Sequence, residues 1–311
     1  MLFDPIADLL QRRGALILDG ALATELEARG CVLTDALWSA KVLLEDPQLI
    51  YQVHYDYFAA GAQCAITASY QATPQGFAAR GLDEAQACAL IARSVELAQR
   101  ARQDYLADHP QAAPLLVAGS VGPYGAFLAN GAEYRGDYAL PDDEMKAFHR
   151  PRVQALLAAG ADLLACETLP SFAEARALTA LLAEFPEAQA WFSFTLRDAT
   201  HISDGTPLRE VAAFLQAQPQ IVALGINCVA LEQATPALQQ LQTLTSKPLV
   251  VYPNSGEQYD AASKTWHSAP SGCTLRDKLP EWRAAGARLI GGCCRTTPQD
   301  IAAIAHGCQP Q

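Results

Sequence analysis

The sequence predicts a closed (β/α)8 barrel, and three observations carry the prediction. Short apolar runs alternate with longer amphipathic runs along the whole chain. Eight of the short runs are each followed by a helical pattern, and strand–helix alternation implies a parallel sheet. Eight units in 311 residues fit a closed barrel better than an open doubly wound sheet, which is the alternative. No linker or low-complexity stretch divides the chain, so residues 1–311 are expected to form one domain.

Ala15–Leu18 is the first predicted strand and ends at Asp19-Gly20. Val42–Ala60 follows as one helix with Leu43, Leu49, Ile50, Val53, Tyr57 and Phe58 on its apolar face; Gly61 stops it. Cys64–Ala68 is a strand ending at Ser69. Asp83 is placed to cap an alanine-rich helix reaching about Leu106. Leu115–Val121 is a strand ending at Gly122-Pro123, and Tyr124 to Leu140 reads as a long loop. Pro141-Asp142-Asp143-Glu144 opens a helix that stops at Gly160, with a kink or split expected at Pro151. Asp162–Cys166 ends at Glu167-Thr168, and Ser171 caps a helix to about Phe185. Trp191–Leu196, Ile221–Ile226 and Leu249–Tyr252 are strands, interleaved with helices Leu208–Gln216 and Leu231–Leu244. Helix Leu275–Ala285, strand Leu289–Ile290 and a closing helix from Pro298 complete the chain.

Composition narrows the class. Half the residues are hydrophobic and the formal net charge is −11, which suits a globular enzyme-like body and argues against a nucleic-acid surface. The N-terminus has no basic-then-apolar signal, and no apolar stretch approaches the roughly 20 residues that span a bilayer. We therefore expect a cytoplasmic protein with small-molecule partners, neither nucleic acid nor membrane. An odd count of nine cysteines argues against a disulfide framework. Cys64, Cys88 and Cys166 lie in apolar segments and are expected to be buried small residues.

The chemistry collects where the strands end, because active sites of such barrels lie at the C-terminal ends of the strands. Cys228 closes one apolar run, after Gly225-Ile226-Asn227; Cys293 and Cys294 close another, after Gly291-Gly292. Adjacent residues on a regular strand face opposite ways, so two neighbouring thiols share one site only if the backbone leaves strand geometry there. The glycines are expected to permit that through dihedrals other residues avoid. Three soft thiolates favour zinc with a fourth position open. Two buried cysteines, or a redox-active vicinal pair, are the other readings of the same spacing. Glu167 ends a strand as a carboxylate in need of a partner, either a substrate ammonium or a loop Arg or Lys. With carboxylate at Asp19-Gly20, ammonium at Glu167 and sulfur on the metal, an amino acid bearing a thiol fits. Trp38, Tyr124, Phe127 and Trp266 are candidates to wall a pocket for a cationic donor, with surface packing the default for each. His54, His109, His149 and His306 fall on helices or their ends and read as surface or packing residues; His201 and His267 lie in loops and receive no role. No lysine falls at a predicted strand end, which disfavours a Schiff-base lyase or aldolase.

These segments resemble the homocysteine S-methyltransferase family. Asp19-Gly20, Ile66-Thr67-Ala68-Ser69-Tyr70, Gly119-Ser120-Val121-Gly122-Pro123, Glu167-Thr168, Gly225-Ile226-Asn227-Cys228, Tyr252-Pro253-Asn254-Ser255-Gly256 and Gly291-Gly292-Cys293-Cys294 carry the resemblance, in order through nearly the whole chain. It implies a (β/α)8 barrel in which Cys228, Cys293 and Cys294 hold a catalytic zinc whose open position takes the homocysteine sulfur. It implies further that Thr67, with the backbone at Asp19 and Gly20, helps place the substrate carboxylate and that Glu167 takes the ammonium. The betaine-using branch has an aromatic residue after the glutamate and a long C-terminal extension; here Thr168 follows Glu167 and the chain ends at Gln311. Segment 252–257 is most similar to the branch using S-methylmethionine, so that donor is expected, with S-adenosylmethionine as a slower substitute. A non-catalytic zinc-binding or redox-sensing barrel is the alternative. Selenium acceptors stay open, and a monomer is expected only from the short chain.

Overall fold

The computed structural model describes residues 4–33, 37–256 and 272–308, with the backbone of 258–260 and 265–267. The barrel strands are β1 (Leu16–Ile17), β2 (Cys64–Ile66), β3 (Leu116–Val121), β4 (Leu163–Leu169), β5 (Ala190–Phe194), β6 (Ile221–Asn227), β7 (Leu249–Tyr252) and β8 (Ala287–Ile290). They form one eight-stranded sheet in which every pairing is parallel and sequence neighbours lie side by side, with β1 against β8. A parallel bridge between Leu18 and Cys64 joins β1 to β2 and closes the ring. At this seam Gln63 N donates to Ile17 O at 2.7 Å and Asp19 N to Cys64 O at 3.1 Å. Two side chains add to it: Ile17 N donates to Gln63 Oε1 at 3.1 Å and Ile66 N to Asp19 Oδ2 at 2.8 Å.

The strands are apolar on both faces because both faces are covered. Alternation divides them between two cores: Leu16 and Leu18 join Leu116, Ala118, Leu163, Ala165, Trp191, Val250 and Leu289 in an inner cluster. Ala15 and Ile17 join the larger cluster between sheet and helices. Ile6 and Leu9 also belong to the inner cluster, so the helix Ala7–Arg13, absent from the sequence reading, packs its apolar face against the barrel interior.

Several expectations hold and several are corrected. Asp83 caps the helix Glu84–Asp108 with a full capping box, and Ser171 caps Phe172–Leu182. The expected single helix Val42–Ala60 is instead two, Val42–Glu45 and Pro47–Ala59. Asp46 breaks them because a residue before proline avoids helical dihedrals, and Pro47 suits the first helical position, where no N–H is needed. Pro151, in contrast, does not split the helix Asp142–Ala158. Short helices Leu22–Ala28 and Pro74–Ala78, and turns at Tyr124–Phe127 and Ala132–Tyr134, occupy stretches given no regular structure from sequence. Cys64 and Cys166 are fully buried as expected, whereas Cys88 is half-buried.

A buried charge network ties the loop after β3 to the scaffold. Arg152, fully buried, donates to Tyr70 O at 2.8 Å, Gly122 O at 2.5 Å and His149 Nδ1 at 2.9 Å. With Nδ1 accepting, His149 carries its proton on Nε2 and donates to Glu174 Oε1 at 2.7 Å. Glu174 also accepts from Tyr124 N at 2.6 Å and from the Tyr138 hydroxyl. Both ends of the loop are thus held by one carboxylate.

Candidate metal centre and active-site cleft

One cleft at the C-terminal ends of the strands gathers Asp19, Gly20, Thr67, Glu167, Cys228, Cys293 and Cys294, so the predicted residues meet in one place. The cleft is open to solvent at its mouth, and its enclosed cavity is about 160 Å³.

The three cysteine sulfurs lie within 4.8 Å of one another, and among the described residues no His, Asp or Glu joins them. Cys228 Sγ is 3.0 Å from Cys293 Sγ and 3.6 Å from Cys294 Sγ. Thiolates bound tetrahedrally at about 2.3 Å stand about 3.8 Å apart, so a small expansion of the triad fits zinc. Cys293 directs its S–H at Cys228, and Cys294 Sγ lies in hydrogen-bond contact with it; these contacts lower the Cys228 thiol well below its ordinary value, while those of Cys293 and Cys294 are raised. The Tyr134 hydroxyl, 3.4 Å away, adds a further donor to Cys228.

The backbone explains how neighbouring residues serve one site. Cys228 sits at φ 54, a left-handed conformation that turns its thiol off the end of β6. Cys293 and Cys294 lie in a turn closed by Thr296 N to Cys293 O at 3.1 Å, with Arg295 at φ 65. Neither Gly291 nor Gly292 has a positive φ. Their role is proximity rather than dihedral freedom: a Cβ at Gly291 would meet Asp19 O at 2.7 Å, and one at Gly292 would collide with the Thr296 side chain. Cys293 N donates to Pro253 O at 2.7 Å and Cys228 N to Tyr252 O at 3.1 Å, so β7 holds both sulfur-bearing ends.

Glu167 projects from β4 beside a bulge, where the register slips between Cys166 and Leu169. Thr168 takes φ 60 there, an outlier for a β-branched residue. Asn227 clamps it, accepting from Thr168 N at 2.7 Å and donating to Thr168 Oγ1 at 2.8 Å. The bulge re-aims Glu167 into the barrel mouth. Its carboxylate accepts from Ser120 Oγ at 2.5 Å and from the Tyr252 hydroxyl at 2.9 Å. Burial nonetheless pushes its pKa up to about 7. No Arg or Lys pairs with it among the described residues, which leaves a ligand cation as the natural partner.

Two of the groups assigned to the substrate carboxylate are already engaged. The Asp19 amide belongs to the seam, while the Gly20 amide has no partner among the described residues. Ser69 gives its proton to Ser120 O at 2.8 Å, so the Thr67 hydroxyl donates to Ser69 at 2.7 Å and accepts from Ser120 N at 3.0 Å. Burial raises the Asp19 carboxyl well above its ordinary value.

Of the aromatic candidates, Trp38 lines the cleft. Tyr124 and Phe127 pack with Phe148 instead, at 4.9 and 5.5 Å between ring centroids. The side chains of Trp266 and His267, and Glu257, lie outside the described residues. Tyr70, from the segment after β2 that carries the family resemblance, lines the cleft, and so do Glu133 and Tyr134, to which the sequence assigns no role. The segment of Glu133 and Tyr134 carries no strand-end signal; only the path of the loop brings these two back over the mouth.

The homocysteine S-methyltransferase family model matches residues 16–308. The homocysteine S-methyltransferase of Escherichia coli (strain K12) is 69% identical over 302 residues, 97% of each chain. Homocysteine S-methyltransferase YbgG of Bacillus subtilis (strain 168) is 54% identical over 305 residues, again 97% of each. The metallated form of the Escherichia coli homocysteine methyltransferase MmuM superposes with a TM-score of 0.90 at 65% identity, covering 97% of this chain and 99% of that one. With the sulfur triad and the buried glutamate in one barrel mouth, this chain belongs to the homocysteine S-methyltransferase family.

Proposed function

We propose that the chain transfers a methyl group from S-methylmethionine, or more slowly from S-adenosylmethionine, to homocysteine, with zinc on Cys228, Cys293 and Cys294. The observation that carries this is the convergence, in one cleft, of three sulfurs and a buried Glu167 with no Arg or Lys partner among the described residues. When bound, zinc would keep the substrate sulfur as thiolate at neutral pH, where a free thiol of pKa about 8.5 is mostly protonated.

The chain's own residues then supply position. Glu167 takes the homocysteine ammonium, with Ser120 and Tyr252 fixing the carboxylate in place. The Gly20 amide meets the substrate carboxylate, and Thr67 borders it. The walls carry the carboxyls of Asp19, Glu27, Glu133 and Glu167, acceptors suited to the ammonium groups of two amino-acid substrates. The substrate sulfur forms a bond to the methyl carbon as the donor's methyl–sulfur bond breaks. The bonding pair returns to the donor sulfur, which leaves as a neutral thioether. With S-methylmethionine each turnover yields one methionine from each substrate.

The bulge supports the amino-acid donors over betaine, because Thr168 is clamped to Asn227 where the betaine-using branch carries an aromatic ring. A cytoplasmic location is part of this reading; no helix among the described residues is long and apolar enough to cross a membrane. The test is methionine formation from homocysteine with S-methylmethionine, S-adenosylmethionine and betaine in parallel, beside a zinc assay. Product with S-methylmethionine ahead of the others is expected. Product from betaine alone would refute the donor, and none from any donor in zinc-replete, reduced protein would refute the reaction.

A further inference from the structure

The loop after β3 carries a carboxylate that the scheme above leaves without a task. Glu133 lines the cleft, and its Oε2 is buried with no hydrogen-bond partner among the described residues. The neighbouring cation Arg135 is committed elsewhere, to Asp137 at 2.8 Å and to Asn130 O at 3.0 Å. The backbone beneath Glu133 is fixed. Thr195 Oγ1 donates to its carbonyl at 2.9 Å, and its amide packs so close to Gly125 that a Cβ there would meet it at 2.7 Å. The next residue, Tyr134, reaches Cys228 Sγ, so Glu133 stands beside the sulfur cluster on the loop wall, whereas Glu167 comes from β4. Both oxygens of Glu167 have donors; Glu133 Oε2 has none.

We propose that Glu133 is a specificity-determining residue that accepts the α-ammonium of the methyl donor, selecting sulfonium donors built on an amino acid. The inference rests on the donor reading above. A buried acceptor without a partner calls for an N–H or O–H donor. A sulfonium has none to offer, while an ammonium has three. In S-methylmethionine and S-adenosylmethionine both groups stand on one short chain, so a loop carboxylate beside the sulfur cluster can hold the ammonium while the methyl faces the acceptor. Betaine has no N–H at all. Burial also raises the Glu133 carboxyl above its ordinary value, as expected for an anion awaiting its counterion.

The test compares wild type, Glu133→Gln and Glu133→Asp as zinc-loaded full chains. The donors are S-methylmethionine and dimethylsulfoniopropionate, a sulfonium lacking the α-ammonium. S-Methylmethionine binding by calorimetry is read beside kcat and KM. Glu133→Gln should weaken S-methylmethionine binding and raise its KM about 100-fold, the scale of losing a charged hydrogen-bond partner. It should leave kcat, homocysteine affinity and dimethylsulfoniopropionate turnover near wild type, and Glu133→Asp should fall between. Unchanged S-methylmethionine binding, or equal losses for both donors, would overturn the assignment. The calorimetric arm separates the two readings: wild type that binds S-methylmethionine far more tightly than Glu133→Gln yet forms no methionine refutes the reaction and keeps the residue. Wild type that does not bind S-methylmethionine overturns the assignment of Glu133.

Discussion

Replacing Glu167 by glutamine should make the protein more stable and the site almost blind to homocysteine. The proton count shows why the variant folds. In the native network Trp191 Nε1 donates to the Tyr252 hydroxyl at 3.1 Å, and Tyr252 donates to Glu167. Glutamine's amide can instead donate to Tyr252. Tyr252 then turns its proton to Ser193 at 2.7 Å, and Ser193 donates to Asn227 Oδ1 at 2.8 Å. One amide hydrogen and the amide oxygen thus keep protein partners, Tyr252 and Ser120, and the second hydrogen faces the cleft. The charge is another matter. A carboxyl whose folded pKa is raised contributes stability that is intact below its ordinary value of 4.5 and lost as pH rises through about 7. At ~1.4 kcal/mol per pH unit, that interval leaves the metal-free protein about 3 kcal/mol less stable at pH 8 than one with a neutral side chain. Glu167→Gln should recover about that amount in urea unfolding at pH 8 and little at pH 4.5. Homocysteine affinity should fall about 30- to 1000-fold, since its ammonium loses a buried charged partner. Equal stability of the two proteins at pH 8, or undiminished homocysteine binding by calorimetry, would refute the assignment.

Other substitutions probe other parts. Cys228→Ala should lower zinc affinity more than about 100-fold and abolish turnover, measured by metal content and methionine formation; retained zinc would disprove the triad. His54 is buried with neither ring nitrogen partnered among the described residues, and burial lowers its pKa to about 4. Its stability contribution is therefore present above pH 6.5 and drains away toward pH 4, by about 3 kcal/mol, and His54→Leu should flatten that acid limb in urea titrations. Gly225→Ala would drive a methyl into the Val250 carbonyl, whose carbon is 2.8 Å away. A loss of about 3 kcal/mol or more is expected, read as a lowered Tm, because two paired backbones have nowhere to move.

The barrel was legible because buried parallel strands write themselves as apolar runs and each run ends where the site begins. The sulfur triad was legible for the same reason: Asn227-Cys228 and Gly292-Cys293-Cys294 close two such runs. The physical cause given to Gly291 and Gly292 was wrong, since close approach of Asp19 and Thr296, not backbone dihedral, excludes a side chain there. That approach joins residues far apart in sequence and leaves no local pattern. The bulge at Thr168 is hidden likewise, because the Asn227 that stabilises it comes from β6. Glu133 and Tyr134 were missed because a loop's return path is set by Arg152, His149 and Glu174 on two helices. The break at Asp46-Pro47 is local, set by the proline and the residue before it.

The seam between β1 and β2 makes the barrel a clasped belt rather than a seamless band. Half of its four hydrogen bonds use a side-chain oxygen where a ladder would use a carbonyl, and one of those oxygens belongs to Asp19. The clasp opens onto the cleft, with Gly20 on one flank and Thr67 on the other. All four bonds are made in the structure as it stands, so amide exchange at Ile17 and Ile66 becomes a gauge of how firmly the clasp holds.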